Sequence, residues 1–103
     1  MTDKIYWRLD GDNNVVPCSR DEWSDDKKGM KDVVRQYKDG DKFVSTILIG
    51  LSINGDGLDM FETMAWHPQL DDPMQQRCDT YEEALRQHEA MVEVVKALDL
   101  TLE

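Results

Sequence analysis

Cysteine, histidine and proline are scarce here, at two, two and three residues in a chain of 103. Cys18 and Cys78 lie far apart, so the chain is not a disulfide-dense secreted module, and buried thiols in a reducing compartment are the expected state. Basic residues are also few. Twelve Lys and Arg face 22 Asp and Glu, a net charge of −10, which argues against direct nucleic-acid binding because phosphate contacts need a dense basic surface. No apolar run approaches the roughly 20 residues of a membrane helix. Met1-Thr2-Asp3-Lys4 lacks a basic and apolar leader. A cytoplasmic location away from any membrane is the resulting expectation. Internal repeats and low-complexity segments are absent as well.

What remains fits one α+β domain over residues 1–103, since a chain of this length leaves no room for a second core. An apolar fraction of 40 %, with three Trp, three Tyr and two Phe, is too rich for a disordered tail. Ile5-Tyr6-Trp7-Arg8-Leu9 alternates and then meets the turn cluster Asp10–Asn14; Val15-Val16-Pro17 completes an N-terminal hairpin. Ser19-Arg20-Asp21-Glu22 has capping-box spacing, with Cys18 and Trp23 placed as a hydrophobic staple. It predicts a two-turn helix ending at Lys27-Lys28 with Gly29 as its cap.

Residues 31–38 read as a strand, and Asp39-Gly40 as a hairpin turn into the run 42–51. That run is apolar on both faces and predicts a central strand covered on both sides. Asn54-Gly55-Asp56-Gly57 turns the chain into a further strand over 58–66, and residues 67–76 read as an irregular loop. Thr80-Tyr81-Glu82-Glu83 is a second capping box. Tyr81, Ala84, Leu85, His88, Met91, Val92, Val95 and Leu98 share one helical face, with Gln87 on the other side, so a helix of about 18 residues, roughly 27 Å long, is predicted. The expected architecture is an antiparallel meander of about five strands, with a short helix in the first half and the long C-terminal amphipathic helix packed on the sheet.

Catalytic and cofactor signals are weak. Cys18, Cys78, His67 and His88 add up to a Cys2His2 set, but no two come in the close pairs that structural zinc uses, and no metal or cofactor is expected. Asp10-x-Asp12-x-Asn14 opens like a calcium loop and then fails at Val15, so it reads as a turn. No glycine-flanked Ser elbow exists. Cys18 with His88 could be written as a dyad that nothing in the spacing requires. His88, on the apolar stripe, and Glu62, inside a strand, are the polar residues that stand out. With Trp23 and Trp66 they form the candidate set for a ligand or a partner.

The pattern Tyr6-x-Arg8-Leu9-Asp10-Gly11, Val16-Pro17, Glu22-Trp23, Val44-Ser45-Thr46 with Gly50-Leu51, Phe61-Glu62-Thr63-Met64, and Tyr81-Glu82-Glu83-Ala84 leading to His88-Glu89-x-Met91-Val92 resembles a family of short, mostly uncharacterised proteins encoded by phages and some bacteria. The chain departs from it at Ser52-Ile53, where an acidic or His residue often follows Gly-Leu, and at Ala65-Trp66-His67. The resemblance implies a small accessory protein of phage context working in the host cytoplasm, and it brings no functional residues with it.

Together these readings favour a non-enzymatic acidic protein that binds a host protein, as an anti-defence or host-takeover factor. The alternative is a protein that binds or sequesters a small ligand such as a nucleotide signal. A third reading, a small hydrolase or isomerase, needs Glu62 and His88 to meet. Cover for a strand with two apolar faces suggests a homodimer.

Overall fold

The computed structural model describes residues 6–51 and 59–100. Its order is β1 (Tyr6–Leu9), β2 (Val15–Cys18), α1 (Arg20–Lys28), β3 (Val33–Asp39), β4 (Lys42–Leu48), β5 (Phe61–Trp66), β6 (Met74–Cys78) and α2 (Tyr81–Leu100). The α+β class, the antiparallel meander and the C-terminal helix packed on it are as expected. The strands divide, however, into a two-stranded hairpin β1-β2 and a four-stranded meander β3-β4-β5-β6. The expected turn at Asn54–Gly57 lies outside the described residues.

Local chemistry accounts for most boundaries. The Asp10 carboxylate accepts from the amides of Asp12 and Asn14, each at 2.9 Å. These two bonds hold its pKa below the ordinary carboxylate value and tie the β1-β2 turn. Ser19 caps α1 in a complete box: its hydroxyl accepts from the Glu22 amide, while the Glu22 carboxylate accepts from the Ser19 amide. The helix ends at Lys28 with Gly29 as its C-cap, as expected, but the cap is not left-handed. Gly29 keeps a negative φ of −84°, and the left-handed residue is Met30 at +58°. Asp39 pairs with Lys42 across a two-residue loop whose first member, Gly40, has φ +63°, the glycine-first pattern of a II′ hairpin. The second box is partial: Thr80 accepts from the Glu83 amide and donates to the Glu83 carboxylate.

One stretch expected to be loop is a strand. β6 pairs with β5 from Ala65↔Met74 to Phe61↔Cys78. Its inward positions are Met74, Gln76 and Cys78, and the polar middle one hides the alternation.

The core lies between α2 and one face of the meander. Val44 and Ala65 pack on Met91, Val92 and Val95, and Leu48, Met60 and Phe61 pack with Ala84. The N-terminal hairpin adds Trp7, Leu9 and Val15 to the second cluster. It joins the rest through a Trp7 amide bond to the Gly50 carbonyl at 2.8 Å and a bridge from Tyr6 to Leu51. Gly50 is required there. With φ +69°, a Cβ at this position would stand 2.6 Å from the Trp7 carbonyl and 2.8 Å from the Trp23 ring. Among the described residues no helix is long and apolar enough to cross a membrane.

Candidate functional site

Strand alternation decides where the singled-out residues lie. On β5, Phe61, Thr63 and Ala65 are fully buried toward α2, so Glu62, Met64 and Trp66 face the other way. His88 is on α2, inside the core. Glu62 and His88 therefore stand on opposite faces of the sheet and line no common pocket. They cannot act as the paired acid and base of a hydrolase.

His88 belongs to a buried polar relay. Its Nδ1 is 2.8 Å from the Thr46 hydroxyl, which is 2.8 Å from the Thr63 hydroxyl. Gln87 donates from Nε2 to Thr63 at 3.0 Å and to the Gln76 carbonyl at 2.9 Å. One direction gives both hydroxyl protons an acceptor: Gln87 N–H to Thr63, Thr63 O–H to Thr46, Thr46 O–H to His88 Nδ1. His88 is then the neutral Nε2–H tautomer. Burial pushes its pKa below the ordinary 6.5; Arg35 acts in the same direction and Glu89 opposes. The arrangement satisfies polar groups inside a core. Gln87, expected on the solvent side, is buried because both of its amide bonds point inward.

Glu62, on the opposite face, accepts from Arg77 Nε at 3.1 Å and from Gln75 on β6. Directly paired neighbours in the register place Val33, Phe43, Ile47, Met64 and Trp66 on this same face. Phe43 and Trp66 meet with ring centroids 5.2 Å apart, and Trp66 is 36 % exposed. Trp66 also walls a groove of about 260 Å³ that includes Leu70 and Pro73, with Asp41 and Asp71 in its lining.

Trp23 occupies a third place. Its indole donates to the Ile49 carbonyl at 3.0 Å, it tilts against Tyr6 with centroids 5.3 Å apart, and Lys27 Nζ lies 5.4 Å above its ring. Together with Trp7 it lines a small cavity beside α1. The sequence holds no signal that these two residues line one cavity, because β1 and α1 meet there only through the approach of both to Gly50.

Thiol and metal chemistry find little purchase. Cys18 and Cys78 form no disulfide. Burial pushes Cys78 up to about 11, and Glu83 and Asp79 add to the effect, so its thiol stays protonated at neutral pH. Among the described residues no group of three or more His, Cys, Asp or Glu side chains is placed to hold a metal ion. Of the four candidates, then, Glu62 and Trp66 share the open sheet face, Trp23 lines the small cavity, and His88 is core. No family model, curated protein or solved structure matches this chain.

Proposed function

We propose that this chain is a small, acidic, non-enzymatic accessory protein of phage type that docks on a host protein through the open face of its four-stranded sheet. The observation that supports this reading is the face itself: Phe43, Ile47, Met64 and Trp66 stand together on it, while α2 takes the other face and α1 packs on β1. Four strands at about 4.8 Å spacing and roughly 20 Å of strand length give only ~400 Å². A standard interface needs ~800 Å² from each partner, so the groove beside Trp66 has to join it.

The groove brings Asp41 and Asp71 to the rim of the apolar patch, within a chain of net charge −10. A partner with an apolar centre and a basic surround fits best, as in the groove of a nucleic-acid-binding protein. Anti-defence or host takeover is the physiological role this docking serves.

Affinity capture from host lysate at low and moderate salt, with the wild-type chain and Trp66→Lys side by side, tests the reading. The expected result is a host protein held by the wild type and weakened at least about tenfold by Trp66→Lys, which places a cation where a basic partner would sit. Thermal melting of the variant checks that the fold persists. Equal capture by both proteins refutes the proposal, as does no capture at either salt. A homodimer in light scattering that Trp66→Lys dissociates refutes it too, because the face would then belong to a second copy.

A further inference from the structure

Backbone pairing decides what the last strand of the meander can still bind. The Ile49 amide donates to the Met60 carbonyl at 2.7 Å, and this bond sets the alternation along β5. Glu62, Met64 and Trp66 bond toward β4, so Phe61, Thr63 and Ala65 bond toward β6. Their partners Cys78, Gln76 and Met74 turn their amides and carbonyls to β5. The amides and carbonyls of Gln75 and Arg77 therefore point outward from a terminal strand.

Among the described elements, β5 and α2 are the ones that pack substantially on β6. Gln76 lies on the α2 side and is exposed, so the helix does not roof the edge. β6 has no proline, no lysine and no bulge in its paired positions. The opposite edge is guarded. β3 carries a bulge between Val33 and Arg35 and an exposed Lys38, which are devices that discourage strand addition.

We propose that a second copy of this chain adds across β6, antiparallel and two-fold about Gln76, joining two four-stranded meanders into one continuous sheet. Gln75 then faces Arg77 of the second copy, and their outward amides and carbonyls close a pair of bonds on each side of the axis. The side chains match in the same register. Each arginine meets a glutamine amide, Gln76 meets its own copy, and Met74 meets Cys78. Sliding by two residues one way sets Arg77 against Arg77, a like-charge pair. Sliding the other way sets Arg77 against Pro73, which has no amide N–H to give.

The axis is perpendicular to the sheet, so both open faces lie on one side and neither is covered. One face offers ~400 Å², and two side by side offer the ~800 Å² that a standard interface takes from each partner, before either groove is counted. This area argument rests on the docking reading above; the chemistry of the edge does not.

Gln75→Pro tests the pairing, because it deletes an outward amide and leaves every bond between β5 and β6 in place. Gln75→Ala loses the same side chain and keeps the amide. In sedimentation equilibrium the wild type should dimerise with Kd on the order of 0.1 mM, as suits a small interface. Gln75→Ala should stay within about threefold of that value, and Gln75→Pro should weaken association at least about tenfold. Each copy carries a net charge of −10, so raising salt from about 0.05 to 0.5 M should tighten the dimer. Trp66→Lys should dimerise like the wild type, so this experiment and the host-capture experiment can fail separately. Independently of any variant, hydrogen exchange at the Gln75 and Arg77 amides should slow as protein concentration rises, while Gln76 and Cys78 stay protected throughout. A monomer up to about 1 mM at the higher salt overturns the proposal. So does equal association in Gln75→Pro, loss of the dimer in Gln75→Ala, or exchange at Gln75 and Arg77 that ignores concentration.

Discussion

Replacing Thr46 by Val keeps the volume of a fully buried side chain and deletes the hydroxyl at the centre of the polar relay. Two groups lose their partners together: the Thr63 hydroxyl proton loses its acceptor, and His88 Nδ1 loses its donor. Each buried orphan costs about 1–3 kcal/mol. Exchanging a buried hydroxyl for a methyl returns about 1 kcal/mol, so the net loss is about 1–5 kcal/mol. Against the ~5–15 kcal/mol that stabilises a domain, that is a large fraction. Urea unfolding followed by tryptophan fluorescence should show a lower midpoint with an unchanged slope. Thr46→Ser is the control. It retains the hydroxyl, gives up one methyl and should cost about 1 kcal/mol. If Thr46→Val costs less than Thr46→Ser, or under about 0.5 kcal/mol, the relay contributes nothing to stability and its assigned direction has no support.

Two more outcomes follow from the geometry. Because the folded-state pKa of His88 lies below its ordinary 6.5, the unfolded chain takes up this proton first. Stability should be flat above about pH 7 and fall by up to ~1.4 kcal/mol per pH unit as pH drops from 6.5 toward the depressed value. A proton on Nδ1 would reverse the relay and strand the Thr63 hydroxyl, so the drop should vanish in His88→Gln, read from urea midpoints at pH 5 and 7.5; a drop that persists in the variant assigns it to other groups. Gly50→Ala and Gly40→Ala share a positive φ, but only Gly50 is crowded, with nothing within 4 Å of a Cβ at Gly40. Gly40→Ala should cost about 1–2 kcal/mol, and Gly50→Ala at least ~2 kcal/mol more; equal melting points would show that the strand and indole yield freely.

Local signals revealed the ends of elements better than the partners of side chains. Ser19 and Glu22 announce α1 because a cap is a contact between near neighbours. The α2 stripe from Tyr81 to Leu98 likewise follows from helical period alone. Helical period misplaces Gln87 because its burial depends on Thr63 and Gln76 in other elements, and β6 is hidden because Gln76, at the centre of its α2-facing positions, is polar and exposed. The strand 61–66 could not be oriented from sequence, since Phe61, Ala65, Met64 and Trp66 put apolar groups on both faces. Only the docking of α2 against Thr63 sends Glu62 outward and separates it from His88. The meeting of Trp7 and Trp23 at Gly50 is less readable still, because it depends on a close approach permitted by one glycine.

The seam at Gly50 also bears on motion. Among the described residues the N-terminal hairpin joins the main sheet's backbone by a single bridge, Tyr6 with Leu51, carried by the Trp7 amide on the Gly50 carbonyl, beside the packing of Trp7, Leu9 and Val15 on the second core cluster, whereas the meander is stitched along three full strand pairs. A unit held mostly by side-chain packing, with so little shared backbone pairing, can open as its own cooperative block while the meander's strand pairs and α2 stay closed. Such opening would part β1 from the end of β4 and bring Trp7 and Trp23 to solvent without melting the rest of the chain.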